Sequence, residues 1–182
     1  METYIEPWAT ESERQEKWDR RFLEVARMVS TWSKDPSTKV GAVVVAAPAP
    51  TGTFDMPLST PGAIVGTGYN GFPRGVADTE ERLGDRPTKY AMVVHAELNA
   101  VLQAGHRARG GTIYVYPAFG APPLCTGCAK AVIQSGIRRV VGYAPDEQND
   151  HGAIERWAPE IATAYTMSLE AGLAITMLDE ER

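Results

Sequence analysis

Along the first third of the chain the spacing of apolar residues changes from helical to strand-like. Between residues 11 and 32, Trp18, Phe22, Val25, Val29 and Trp32 recur at alternating intervals of four and three, which lays one apolar stripe along a helix. Thr10, followed three residues later by Glu13, supplies a capping box at its start. Pro36 disfavours helical geometry in the residue before it, so the helix is expected to stop at Lys34–Asp35. Compact β-branched runs follow, "VGAVVVAA" (40–47) and "GAIVGTGY" (62–69), each suited to a strand. Between them "APAPTGTFDMPLSTPG" carries four prolines and reads as a long surface loop. A polar, charged stretch runs from Arg74 to Lys89.

The second half alternates helix and strand. "HAELNAVLQAG" reads as a helix closed by Gly105, "GTIYVY" (111–116) as a strand, and "CTGCAKAVIQSG" (125–136) as a helix stopped at Gly136. "RRVVGYA" (138–144), a helix over 154–171 and "LAITML" (173–178) complete the pattern. The order is α-β-β-α-β-α-β-α-β. Strands separated by single helices imply right-handed parallel crossovers, whereas the first two strands can pair antiparallel. The expected fold is a three-layer α/β/α sandwich on a mixed five-stranded sheet, one domain over 1–182 with residues 1–10 as an N-terminal extension.

Composition narrows the function classes. The chain has 182 residues, 43% hydrophobic and 23% charged, with a net charge of -5. An acidic balance gives no general reason to bind a polyanion, so polymeric nucleic acid is not an expected partner. No run approaches the roughly 18 apolar residues of a membrane span. Met1 to Thr10 is acidic without an apolar core, unlike a signal peptide. With two cysteines there is no disulfide framework, and the reducing cytoplasm is the expected compartment.

Those two cysteines, Cys125 and Cys128, stand three positions apart in "PPLCTGC". The spacing suits a redox pair, half of a structural zinc site, or two ligands of a catalytic metal. A structural zinc site needs four ligands, commonly from a second Cys/His pair, and His95, His106 and His151 are each isolated. His95, however, opens "HAELNA" two residues before Glu97. His95, Cys125 and Cys128 make three ligands and leave a fourth tetrahedral position open, the arrangement of catalytic zinc. Two thiolates cancel the charge of a divalent ion, and Glu97 is a nearby proton acceptor that need not be a ligand. Positions i and i+2 of a helix point apart by about 200°, so His95 must sit at the helix edge for both side chains to reach one ion. The order H-x-E then C-x-x-C is that of zinc nucleobase deaminases.

Over most of its length, from about Phe22 to Leu178, the chain resembles the deoxycytidylate (dCMP) deaminases of the cytidine-deaminase fold. "SKDPSTKVGAVVV" (33–45), "GTGYNGFPRG" (66–75), "TKY" with "HAELNA" (88–100), "IYV" (113–115) and "CAKAVIQSGIRRVV" (128–141) carry the likeness. The resemblance implies hydrolysis of dCMP to dUMP, with one zinc ion on His95, Cys125 and Cys128 and Glu97 moving protons. It also implies Asn70 at the sugar and the Ala96 backbone N–H at the pyrimidine O2. Ser33 and Lys34, at the end of the first helix, are the expected phosphate contacts. The family further implies a homo-oligomer, a hexamer, switched on by dCTP and off by dTTP. Asn70, Gly71 and Arg74 are the candidate effector contacts, with Mg2+ accompanying the effector.

Two departures affect the substrate. Leu124 stands before Cys125 where the family usually has proline, and "YPAFGAPPL" is several residues longer than the family's link. The link borders the base in the related fold, so a 5-substituted dCMP is a candidate substrate beside dCMP itself. Other zinc deaminases, acting on cytidine, cytosine or tRNA adenosine, are the alternatives within enzymes. Phosphate contacts of tRNA need basic surface that an acidic chain lacks. A non-catalytic zinc-stabilised binding module is the alternative outside enzymes, and Glu97, which such a module does not need, argues against it.

Overall fold

The computed structural model describes residues 10–47, 62–146 and 151–180. Most of the proline-rich loop and of the N-terminal extension therefore lies outside the described residues. Helix α1 (Glu11–Ser30) opens on the expected capping box: the Thr10 hydroxyl accepts from the Glu13 N–H, and the Glu13 carboxylate accepts from the Thr10 N–H. The helix ends at Ser30 rather than at Lys34–Asp35. The Ser30 and Thr31 hydroxyls turn back to the carbonyls of Arg27 and Met28, side-chain bonds that compete with helix continuation. Trp32, expected on the apolar stripe, lies in the turn beyond and is 51% exposed. Phe22, Leu23, Ala26 and Val29 form the buried face.

The strands fall where the runs predict them: β1 (Gly41–Val45), β2 (Ile64–Tyr69), β3 (Thr112–Tyr116), β4 (Arg139–Tyr143) and β5 (Ala174–Leu178). They form one mixed five-stranded sheet in the order β2-β1-β3-β4-β5. β1 pairs antiparallel with both β2 and β3, whereas β3–β4 and β4–β5 are parallel. Period-two alternation divides the apolar residues between two layers. Val43, Val45, Tyr114, Val141 and Tyr143 face α1, whereas Ala42, Val44, Ile113, Val115 and Val140 face the helices on the opposite side. Those are α4 (Ala96–Ala104), α5 (Thr126–Gln134) and α6 (His151–Glu170).

The stretch from Arg74 to Lys89, read as merely polar, holds the start of a helical pair: α2 (Glu80–Gly84) and α3 (Arg86–Met92). Thr79 caps the first through the Arg82 N–H, and Asp85 caps the second through the Thr88 N–H. The sheet places α4 by close approach. A Cβ at Gly66 would stand 2.3 Å from the Ala100 carbonyl oxygen, and one at Gly68 2.2 Å from that of Ala96. Only bare backbone lets α4 lie this close on β2. No helix among the described residues is long and apolar enough to cross a membrane.

Candidate active site

Two helix N-termini contribute to the lining of a cavity of about 420 Å³. His95 is the N-cap of α4, with extended backbone (φ -69, ψ 153), and Glu97 is in the first turn. The edge position demanded by the spacing of the two side chains is thus met: His95 leaves the helix before its periodicity begins. Cys125 is likewise the N-cap of α5, and its sulfur accepts the Cys128 N–H at 3.4 Å. The Thr126 N–H of the same turn is taken by the Glu160 carboxylate of α6, and the Thr126 hydroxyl donates to the Glu160 carbonyl. Helix α6 thereby fixes the entry of α5, and with it the direction of both thiols.

His95 Nδ1 lies 3.4 Å from Cys125 Sγ and 3.5 Å from Cys128 Sγ. Tetrahedral ligands with Zn–S of about 2.3 Å and Zn–N of about 2.0–2.1 Å stand about 3.5–3.6 Å apart. The donor set fits zinc in both chemistry and spacing. Among the described residues it is the one group of three or more His, Cys, Asp or Glu able to hold a metal.

The electrostatics of the protein groups favour the same outcome. Hydrogen bonding from Cys128 and from the His95 ring holds the Cys125 thiol down, to about 4, against burial. The hydrogen bond with Cys125 raises His95 to about 9. The same sulfur neighbour, together with burial, pushes Cys128 up. One thiolate forms readily and the second needs further positive charge, which a divalent ion brings. Burial raises Glu97 above the ordinary carboxyl range. Its carboxyl is within hydrogen-bonding reach of Cys128 and lines the cavity.

The remaining predicted residues divide sharply. Ala96 and Asn70 line the cavity. The Asn70 amide is committed to the frame: Oδ1 accepts from the Val40 N–H at 2.8 Å and Nδ2 donates to the Thr38 carbonyl at 2.9 Å. Gly71 bridges to Val94, tying "GYNG" to the segment that enters α4. The structure does not bring Ser33 or Lys34 to the cavity. Ser33 is buried, donating to the Asn70 carbonyl and accepting from the Asp35 N–H. Lys34 is 72% exposed at its side chain and pairs with Asp78 at 2.8 Å. Arg74 is exposed and also off the cavity.

Sequence reasoning missed several lining residues. Lys89 is 5% exposed and donates to Asp35 Oδ1 at 3.0 Å and Ser37 Oγ at 3.2 Å. Arg86, Tyr90, Arg156, Trp157 and Ile161 join it in the lining, and Trp157 meets the His95 ring edge-on with centroids 6.0 Å apart. The caps Thr79 and Asp85 were the readable signal for α2 and α3, and hence for the residues they carry. The long link does reach the cavity, through Pro117, Phe119, Pro123 and Leu124.

Residues 16–162 match the model of the MafB19-like deaminase family. A protein of Aliivibrio fischeri described as an uncharacterized deaminase in the luxG 3' region is 36% identical over 89% of this chain and 94% of its own length. The deoxycytidylate deaminase of Mus musculus is 36% identical, covering 74% of this chain and 68% of its own. Among solved structures, the dCMP deaminase of cyanophage S-TIM5 in complex with dCMP and dUMP superposes with a TM-score of 0.56. It is 19% identical, and the match covers 89% of this chain and 97% of that one. The mixed sheet with its flanking helices is therefore the fold of the dCMP deaminases.

Proposed function

The chain belongs to the MafB19-like deaminase family, and on that premise we propose that it hydrolyses dCMP, or a 5-substituted dCMP, to the corresponding dUMP. The observation that carries the reading is the buried Glu97 carboxyl beside a His/Cys/Cys set in one cavity. A structural metal site has no use for that carboxyl. The names of the mouse relative and of the phage structure support a nucleotide substrate.

His95 through Nδ1, and Cys125 and Cys128 through Sγ, would hold zinc. When bound, the ion supplies Lewis acidity that makes water nucleophilic near neutral pH. Glu97 then does the proton work. Its carboxylate takes a proton from the attacking water and delivers it to ring N3 as the water oxygen adds to C4. A second proton passes through Glu97 to the exocyclic nitrogen, the C4–N4 bond breaks, and ammonia leaves. Its raised pKa suits a group that must alternately hold and release a proton. The Ala96 N–H, at the start of α4, is the proposed donor to the pyrimidine O2, and Asn70 the proposed sugar contact. Trp157 and Ile161 of α6 and the 117–124 link supply apolar walls beside these groups.

The test is ammonia release from dCMP by zinc-loaded protein, with Glu97→Ala as partner. Removal of a general acid–base group should cost about 10²–10⁴-fold in kcat, with zinc content unchanged by metal analysis. A Glu97→Ala protein as active as the parent would end the reading.

A further inference from the structure

The cavity needs cations of its own if a nucleotide is to be held, and the charges of Lys34 and Lys89 are each balanced by an aspartate. Lys34 is paired with Asp78 outside the cavity. Lys89 is neutralised by Asp35, at 3.0 Å and with both side chains buried. Two further cations line the same cavity, Arg86 from α3 and Arg156 from α6. Neither makes an ion pair with a described residue. Acids close to them in sequence have other partners: Asp85 caps α3 through the Thr88 N–H, Glu155 meets His151 at 3.3 Å, and Glu160, one turn beyond Arg156, accepts from the Thr126 N–H. Arg86 instead stacks over Tyr90, its guanidinium carbon 5.1 Å from the ring centroid. That contact restricts the side chain without cancelling its charge.

Apart from His95, Glu97 and Cys125, the charged lining is Arg86, Lys89 and Arg156 against Asp35 alone. An excess of positive charge at this cavity stands out in a chain whose net charge is -5. We infer that Arg86 and Arg156 form a phosphomonoester subsite at this cavity and make the site select a nucleotide over the free nucleoside. The inference rests on the deaminase reading for the pyrimidine end of the cavity. Guanidinium groups suit the task because their planar fork can engage two phosphate oxygens at once. Arriving from two different helices, they meet the phosphate only when α3 and α6 flank the same ligand. The role expected of Ser33 and Lys34 thereby passes to a pair of residues 70 positions apart in the chain.

The experiment is calorimetric titration of the zinc-loaded protein with dUMP and with deoxyuridine, alongside ammonia release from dCMP. The parent protein should bind dUMP more tightly than deoxyuridine, and inorganic phosphate should weaken the binding of dUMP. Arg86→Gln and Arg156→Gln should each weaken dUMP about ten- to a hundredfold, the range for loss of one charge-assisted contact, with little change for deoxyuridine. Equal zinc content and melting temperature confirm that each exposed arginine is dispensable for folding. Both variants binding dUMP as the parent does would overturn the subsite, and would leave the deaminase reading standing if dCMP is still turned over. Arginine-dependent binding of dUMP by a parent protein that releases no ammonia from dCMP would instead sustain the subsite and overturn the deaminase reading.

Discussion

Two ion pairs of this protein, each built on a buried aspartate, look alike in isolation and differ in what surrounds them. Asp19 of α1 is 1% exposed and receives both arms of the Arg139 guanidinium, at 2.8 and 2.6 Å. The Tyr114 hydroxyl and the Gln15 amide also donate to its Oδ1. None of these residues touches the cavity. The network joins α1 to the beginning of β4 and to the middle of β3, and its polar groups are satisfied by fixed partners. Asp35 and Lys89 are both buried, where Arg139 is only partly so, and both line the cavity. Asp35 Oδ1 accepts from the Ser37 and Thr38 N–H groups as well as from Lys89. Lys89 carries three donors, of which Asp35 and Ser37 take two. A planar fork locks one junction; a compact ammonium leaves a hydrogen available at the other. A buried ion pair thus reveals its role through its neighbours rather than through its own geometry.

Breaking each pair from the cationic side separates the two roles most strongly. Arg139→Leu and Lys89→Leu each leave a carboxylate buried without its partner. Each should cost about 3–5 kcal/mol of stability by denaturant titration. The folded fraction of Arg139→Leu should keep the parent kcat/KM for dCMP. Lys89→Leu should lose kcat/KM as well, because the cavity wall it fixes is disturbed. Equal kcat/KM in the two variants would erase the distinction.

A smaller effect is expected from the link between β3 and α5. Replacing "YPAFGAPPL" by a shorter connection removes Pro117, Phe119 and Pro123 from the lining while the Asp19 end stays untouched. Zinc content should persist, and the preference between dCMP and its 5-methyl analogue should shift on the order of ten- to two-hundredfold, the range for one methyl-sized apolar contact. Unchanged ratios of kcat/KM in a folded, zinc-loaded variant would make the link a spacer.

The mildest comparison uses acid. Burial works to raise Asp35, but the Ser37 and Thr38 N–H groups and the Lys89 ammonium outweigh it and hold the carboxyl below its ordinary value. A depressed carboxyl contributes stability that is present above its unfolded pKa of about 3.9 and lost as pH falls through the lower folded value. The melting temperature of the parent should therefore fall more steeply below about pH 4 than that of Asp35→Asn. Parallel curves would show that Asp35 carries none of the acid dependence.

The framework of this molecule was legible wherever local chemistry determines it. The capping box at Thr10, the five strands and the stops at Gly105 and Gly136, which adopt φ of 56 and 81, follow from short-range rules. So did the His95, Glu97, Cys125 and Cys128 constellation, since ligand type and spacing carry the argument. The helical pair α2–α3 escaped because five and seven residues are too few to show an amphipathic period; only its caps announced it. The fate of Lys34 escaped for another reason. Its partner Asp78 is distant in sequence and solvent-exposed, so nothing local distinguishes a lysine that reaches a ligand from one that meets an aspartate. Arg156 and Trp157 lie in a helix expected over 154–171 and described over His151–Glu170. Their arrival at the cavity depends on how α6 packs against α5, which periodicity alone does not encode.

The bare backbone of β2 bears on how such a chain can diverge. Gly66 and Gly68 contribute no atom to the chemistry, yet any side chain there would drive the carbonyls of Ala100 and Ala96 away from the sheet. Ala96 sits between His95 and Glu97, so the displacement would be felt at once by the proposed zinc ligand and by the proposed proton carrier. Ile64 and Tyr69, on the same strand, are 44% and 42% exposed and free of that constraint. Larger side chains are therefore admissible at the ends of this strand and excluded at two interior positions, where a hydrogen in place of a methyl lets α4 keep its seat.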